Sequence, residues 1–574
     1  MQKGFSGIFL RSWRHSCFSL FARRYLTDAV SLSMWRLQRG TVARAGFGSR
    51  LSGGVSTGQS AHRKQAPQQR LVELQAVGSR IAERRRAVEC ASPAKASTIE
   101  EDEVSKESAL VTYYDKIATV GSICSSNPGL GTQEPGFKPG YELPPLDEKL
   151  VSFFEPATIA LHRLGDYRGR QVNVLNLVGN PRTRTTKTFA SLVMVARAIQ
   201  HIRATGESIL IVTPTSGNKG GALRDAVLRA LECGLVVPDQ LRIAIVVPKD
   251  SISKLWSSTL SEDAELRRLN PVFICDAEDG SIVKAMTREF VRQTSQDLKD
   301  RYNLNVWHTY DLNNYRMADA VRAFFEIDQL GPAHHDTPRI QAQAVSSAFG
   351  LLGHQFGLEF LSKNGVDVGD NRRWLLIQHL GTPDLVLDLH YGSFSRENLP
   401  AYTLQEETGL YVQNEQPFFP VRTYDVEEVI DSTFYSRNPA TNELVREIMS
   451  GQGGEGIVVS LYECLQQYPK LRHLLRNTDL SLPHDPRDLR EWSMTMVLTG
   501  ALNAIDRDLV PSASELLIHV TGSYAKQDFS SLPADHLRPV ASPDDMRVAV
   551  VEASLAPFIP KVRQAMESFE RAKR

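Results

Sequence analysis

NPRTRTTKTF, from Asn180 to Phe189, runs into an apolar stretch ending near Ile202. A short run, ILIVT (Ile209–Thr213), follows, and then TPTSGNKGGALRDA (Thr213–Ala226). Val172–Val178 (VNVLNLV) reads as a strand, so Lys187 heads a helix directly after it. One strand–helix unit later, the turn Ser216-Gly217-Asn218 heads the next helix. A lysine amine so placed suits an enzyme that holds pyridoxal 5′-phosphate through a Schiff base. Ordinary α/β architecture produces the same spacing, and these residues alone leave both readings open.

Working outward, apolar positions at helical spacing span Phe189–Ile202, and Gly221–Cys233 is a helix stopped by Gly234. Leu241–Val247 is a strand closed by Pro248. Further strands are expected at Val272–Cys275, Val306–Thr309, Gln341–Val345, Trp374–Gln378 and Leu516–Val520. This alternation predicts a parallel, doubly wound α/β fold. In such folds the ligand site lies in the loops at the carboxyl ends of the strands.

Those loops hold the candidate residues. The turn Ser346-Ser347-Ala348-Phe349-Gly350-Leu351-Leu352-Gly353 opens a helix, where converging N–H groups and the helix dipole bind phosphate; glycine in such a turn also serves plain packing. Asn218 is placed to donate to a ring hydroxyl, though a turn asparagine also caps helices. Thr215, Ser216 and Gly217 are candidates for a substrate carboxylate. In DLNNYRMADAVRAFFEIDQLG, Asn313, Asn314 and Arg316 stand at a helix start. Arg316 is the candidate grip for an anionic group on the substrate side chain, against pairing with Asp311 or Asp319. His308, His354, His379 and His390 lie near loop ends, better read as structural; His379 is the first to test as an acid. None shows metal spacing, so no metal site is expected.

Taken in order, seven segments resemble the fold type II pyridoxal-phosphate enzymes, most closely the threonine synthase branch. They are NPRTRTTKTF, TSGNKGGALRDAVLRALECGL, LRIAIVVPKDSISKL, LNNYRMADAVRAFFEIDQLG, the turn Ser346–Gly353, GEGIVVSLYECL (Gly454–Leu465) and IHVTGSYAKQDF (Ile518–Phe529). The resemblance implies two doubly wound α/β subdomains with the cofactor between them. It implies that Lys187 carries the Schiff base, Asn218 meets the cofactor's 3-hydroxyl, Ser346–Gly353 holds the phosphate, and Thr521 lies opposite the pyridine nitrogen. A hydroxyl there does not keep that nitrogen protonated, which suits elimination or replacement at Cβ or Cγ of an amino acid more than transamination. The family commonly forms dimers, so the resemblance allows a homodimer and leaves the oligomeric state open. Two departures stand out: Thr186 and Thr188 flank the lysine where the family usually has SFKDR, and Ala348 and Phe349 sit inside a turn normally richer in glycine. A degenerate member acting as a binding or scaffold protein is the alternative. A nucleotide binder is disfavoured, because no GxGxxG or GxxxxGK[ST] stands at the strand ends.

Organisation and charge set the frame. The 574 residues exceed the roughly 100–200 of a single domain. Lys plus Arg equals Asp plus Glu at 66 each, so no global field draws in nucleic acid. No apolar run approaches the roughly 20 residues of a membrane span. Cys17, Cys90, Cys124, Cys233, Cys275 and Cys464 are scattered without a CxxC pair, which fits a reducing compartment. Residues 1–50 carry Lys3, Arg11, Arg14, Arg23, Arg24, Arg36, Arg39, Arg44 and Arg50 against the single acid Asp28, the pattern of an organelle transit peptide. Mitochondrial import is expected, with a plastid or the cytoplasm as alternatives. Residues 51–107 read as a linker with a charged helix at Leu71–Val88, and 108–535 as the catalytic domain. Within the latter a smaller subdomain is expected at about 206–330 and an insertion at about 402–506; 536–574 reads as a helical extension.

Overall fold

The computed structural model describes residues 105–126, 135–276 and 280–555. The expected leader and charged helix lie outside them. Nine strands precede residue 380: β1 Ser105–Ser108, β2 Thr158–Tyr167, β3 Arg170–Asn176, β4 Ser208–Pro214, β5 Leu241–Pro248, β6 Val272–Cys275, β7 Leu304–His308, β8 Arg339–Ala344 and β9 Arg372–His379. Six follow: β10 Thr403–Gln405, β11 Leu410–Val412, β12 Arg422–Thr423, β13 Gly454–Val459, β14 Glu515–Val520 and β15 Leu537–Pro539. Eight principal helices are α1 Lys187–Thr205, α2 Asn218–Glu232, α3 Gly280–Tyr302, α4 Leu312–Leu330, α5 Phe349–Lys363, α6 Leu461–Leu474, α7 Ser493–Asp506 and α8 Pro543–Leu555.

Two parallel sheets organise these elements. The larger has the order β1-β2-β3-β14-β8-β9-β13, antiparallel at β1-β2-β3 and parallel from β3 onward. The smaller, β15-β6-β5-β4-β7, is parallel throughout. Strands buried on both faces read as near-continuous apolar runs, as IAIVV in β5 and LLIHV in β14 do. Helices cover both faces of the smaller sheet: Ile209, Ile211, Ile243 and Ile245 share a core with α2, while Leu210, Val212, Ala244 and Val246 pack with α3 and α8. On the larger sheet, α7 packs its Met496, Val497 and Ala501 against β8, β9 and β14. Helix α1 is buried from Thr188 to Ile199 because it belongs to the core that spans both layers; Gly206 ends it in the left-handed conformation, at φ 72°.

The α/β fold with parallel sheets agrees with the expectation, whereas several boundaries differ. β15 and α8 return the chain to the smaller sheet, so residues 536–555 are part of its packing rather than an appendage. Helix α4 packs along α5 and α1, not against the strands of that sheet. Residues 402–506 are not one inserted body. Their first part forms the three-stranded sheet β10-β11-β12, while β13 closes one edge of the larger sheet and α7 covers its face. Among the described residues, no helix is long and apolar enough to cross a membrane.

Candidate active site

The carboxyl ends of β4, β8 and β14 open on one cavity of about 180 Å3, and the head of α1 faces the same space. Its lining includes Lys187, Thr215, Ser216, Asn218, Ser346–Gly350 and Thr521. Sequence-distant loops therefore meet where a doubly wound fold concentrates its binding groups.

The loop before Lys187 is shaped by its own polar side chains. The Asn180 carboxamide accepts from the Thr185 N–H (3.1 Å) and donates to the Leu177 and Thr185 carbonyls (both 3.3 Å). Thr188 donates to the Thr185 carbonyl (2.8 Å). The Thr186 N–H donates to the Thr521 carbonyl (2.8 Å), pinning the loop to the end of β14. Thr186 Oγ1 in turn accepts from Arg322 Nη2 (2.8 Å). The threonines flanking the lysine are thus the fasteners of this loop.

Lys187 is half-buried by area, open toward the cavity but crowded behind. Its amine lies 5.4 Å from the Tyr315 ring centre and donates to no acceptor among the described residues. Burial pushes its pKa down; Asp319 opposes this in part, and Arg322 adds to it. An amine so biased is neutral, and therefore nucleophilic and basic, at a lower pH than an exposed lysine.

Facing it, the turn at Ser346 leads into α5 through Ala348, which takes the left-handed conformation (φ 51°, ψ 21°) where glycine is the easier residue. The first N–H groups of a helix have no intrahelical partner, so those of Phe349 and Gly350 are offered to the cavity they line. Beneath them lies Arg322, fully buried, bonded to Asp319 (2.6 Å) and Thr186 while its Nε and Nη1 have no partner among the described residues. A Cβ at Gly350 would stand 2.7 Å from Arg322 Nη1, so the glycine lets the guanidinium close on the turn. Tyr315 stacks on Phe349 at 4.5 Å and 10°, holding the helix head against α4.

Asn218 belongs to a buried polar network. Its Nδ2 donates to Glu491 (2.5 Å), and its Oδ1 accepts from the Tyr524 hydroxyl (2.7 Å). Glu491 also accepts from Lys254 (3.1 Å), whose amine bonds both oxygens of Asp431 (2.6 and 2.7 Å). Burial works against the Lys254 charge, but Asp431 and Glu491 outweigh it and raise its pKa. Asn218 keeps one N–H for a ligand, its carboxamide held by Glu491 and Tyr524 on two separate segments.

Several expected residues stand elsewhere. Arg316 does not line this cavity; it lies over the Phe356 ring and faces a separate hollow between α5 and the helix Asn442–Gln452. Along a helix each residue turns 100°, so with Tyr315 and Arg322 aimed at the cavity, Arg316 points well aside. Asn313 is buried against Tyr141 (3.3 Å). Gly353 is a packing glycine, since a Cβ there would meet Asp319 Cβ at 2.4 Å, and Gly217 is held against Lys254 at φ 131°. The Thr215 hydroxyl oxygen accepts from the Gly217 and Gly220 N–H groups (3.1 and 2.9 Å), folding its own turn. His379 is buried between the Phe434 and Glu428 carbonyls (3.1 and 3.3 Å), with its pKa pushed down by burial, and His354 pairs with Glu326 (2.5 Å).

Arg322, Tyr315, Lys284 and the wall Thr433-Phe434-Tyr435-Ser436 were not singled out from the sequence, yet all line the cavity. The i, i+4, i+7 spacing of Tyr315, Asp319 and Arg322 was the available signal, since it puts them on one helix face. Overall the lining carries Lys187, Lys219, Lys284 and Arg322, and no carboxylate among the described residues. Nor do the described residues hold a cluster of three or more groups able to bind a metal ion.

Comparison with known proteins assigns a family but not an activity. Residues 105–554 match the model of a family of unknown function, DUF6002. The chain belongs to that family. No curated protein matches it. Solved structures similar to it include pyridoxal-phosphate-bound threonine synthase from Brucella melitensis, at 13% identity and TM-score 0.40 over 69% of this chain and 80% of that one. Yeast threonine synthase gives 12% and 0.40 over 69% and 81%, and an L-serine ammonia-lyase from Rhizomucor miehei 14% and 0.39 over 66% and 95%.

Proposed function

We propose that this DUF6002 member is a pyridoxal-phosphate-dependent lyase or synthase acting on a small amino acid by elimination or replacement at Cβ or Cγ. The observation that carries the reading is one acid-free cavity into which a lysine amine of lowered pKa, a helix N-terminus and a half-partnered buried arginine all point. The donor set fits the cofactor. Ser346–Gly350 would hold its phosphate, with Arg322 beneath the turn; Asn218 would donate to its ring hydroxyl, Thr521 would face its ring nitrogen, and Lys187 would carry it. When bound, pyridoxal phosphate supplies an electron sink for the substrate's α-carbon.

The chain's own residues then divide the work. Once the substrate's own amine has displaced it from the cofactor, Lys187 Nζ would take the proton from the substrate's α-carbon, a task for which a neutral amine is required. With Thr521 facing the ring nitrogen and no carboxylate in the described lining, nothing there would keep that nitrogen protonated, which would favour loss of a β- or γ-substituent over transamination. Ser216 would bind the substrate carboxylate, since the Gly217 and Gly220 N–H groups of its turn are already spent on the Thr215 hydroxyl. Tyr435 and its neighbours form one wall of the cavity.

The test is the visible spectrum of the full chain titrated with pyridoxal phosphate, followed by borohydride reduction and peptide mapping. A new band, with the cofactor fixed to Lys187 and both lost in Lys187→Ala, is the expected result. A chain that stays colourless with excess cofactor overturns the proposal and leaves the scaffold alternative.

A further inference from the structure

A second cavity, of about 430 Å3, lies between α2 and Ile245 and Val272 of β5 and β6. Gly221, Arg224 and Leu228 line it at i, i+3 and i+7. Leu255–Thr259 forms another wall, and Phe529 and Leu532 a third. Its volume falls in the range of roughly 300–1,000 Å3 that takes small molecules.

Its chemistry is set by one unbalanced charge. Arg224 is 6% exposed; its Nη1 donates to the Asn270 carbonyl (2.6 Å), while Nη2 has no partner among the described residues. Among the described residues no carboxylate lies within ion-pair distance of it, and burial alone pushes its pKa down to about 10. The acids nearby are already taken. Asp225 pairs with Arg229 (2.7 Å) and Arg182 (3.6 Å), Glu232 with Arg182 (2.8 Å), and Asp528 with Arg184 (3.4 Å); Glu262 stands exposed at the mouth. A buried cation without a counter-charge is costly, and the shortfall is met when an anion enters. Leu228, Ile245, Leu255 and the stacked rings of Trp256 and Phe529 (4.6 Å, 19°) supply an apolar body for that anion's remainder.

We infer that this cavity is a second binding site, for a small carboxylate with an apolar body, whose carboxylate is held by Arg224. Trp256 makes occupancy felt elsewhere. Its ring meets Tyr524 edge-on at 5.5 Å, and Tyr524 donates to Asn218 in the first cavity. A ligand that shifts Trp256 therefore alters the group proposed to meet the cofactor, so the site is regulatory. That last step rests on the cofactor reading; the binding itself does not.

Calorimetric titration of the full chain with 4-methylpentanoate tests the site, with isoamylamine as a probe of the same apolar body and opposite charge. The expected result is binding of the carboxylate only, weakened at least about tenfold in Arg224→Gln, as loss of a charged hydrogen bond predicts. Equal binding of the amine, unchanged binding in the variant, or no binding of the carboxylate overturns it. Should Arg224→Gln fail to fold, tryptophan emission decides. The carboxylate should change emission in the native chain and not in Trp256→Phe, and no change in the native chain refutes the site. For coupling, saturating carboxylate should shift the pyridoxal-phosphate Kd at least about fivefold. An unchanged Kd refutes the coupling, whereas failure to bind the cofactor at all refutes the proposed function and leaves carboxylate binding standing.

Discussion

Replacing Glu326 by glutamine should cost more stability than any single contact in the cavity. Glu326 is fully buried on α4 and accepts from Arg339 Nη1 (2.9 Å), Arg372 Nε (3.1 Å), Gln341 (3.0 Å) and His354 (2.5 Å). Burial opposes its charge, yet His354, Arg372 and Arg339 together hold its carboxyl well below the usual range. The glutamine amide keeps the volume and removes the charge. Arg339 retains Glu515 at 2.8 Å, but Arg372 then has no acid within ion-pair distance among the described residues and only carbonyls to bond. Stranding one partner of a buried pair costs about 3–5 kcal/mol. Urea unfolding should show that loss as a lower midpoint with unchanged slope. The double variant Glu326→Gln/Arg372→Met should recover about 2 kcal/mol of it, because the stranded cation is gone. A single-variant cost below about 1 kcal/mol, or a double variant equal to the sum of the singles, would refute the reasoning.

Gly350→Ala puts a Cβ 2.7 Å from Arg322 Nη1 and should raise the pyridoxal-phosphate Kd about tenfold while sparing the fold, measured by spectral titration. Glu428 bonds the Leu461 N–H (2.7 Å), and burial raises its pKa from 4.5 to about 7. Because the folded value lies above the unfolded one, its contribution is present below about pH 4.3 and is lost as pH rises through about 7. Glu428→Gln should therefore gain roughly 2 kcal/mol on the parent between pH 5 and pH 8, discounting for partial exposure; parallel stability–pH curves would contradict this. Gly369→Ala, whose Cβ would meet the Ala333 oxygen at 2.2 Å, should cost at least about 2 kcal/mol more than Gly365→Ala, which shares a positive φ but has open space. Equal melting temperatures for the two variants would rule out the clash as the cause.

Much of the sheet core was legible because buried parallel strands leave uninterrupted apolar runs, as at Leu241–Val247 and Leu516–Val520. The loop residues that meet at the cavity were legible for the same reason: each follows one of those runs. What was not legible depends on direction and partnership. Arg316 and Arg322 sit on one helix in similar company, and only the packing of α4 against α5 says which faces the cavity. The three residues of β15 are too short for any periodicity, so their pairing with β6 gives no signal in sequence. β13 and α7 read as parts of an insertion because strand order in a sheet need not follow the order of the chain. Arg224 looks like any helical arginine until its lack of a counter-charge is seen.

One rigid rod serves both the cavity and the interior. Helix α4 presents Tyr315, Asp319 and Arg322 to the cradle and, one turn on, Glu326 to the charged knot that ties β8, β9 and α5 together. The cradle cannot loosen without disturbing that knot, so it has no inexpensive local opening. Amide protons around Arg322 should exchange with solvent only as fast as the molecule unfolds as a whole, with or without ligand. The binding geometry is then paid for during folding, and a ligand arriving later meets a site already in place.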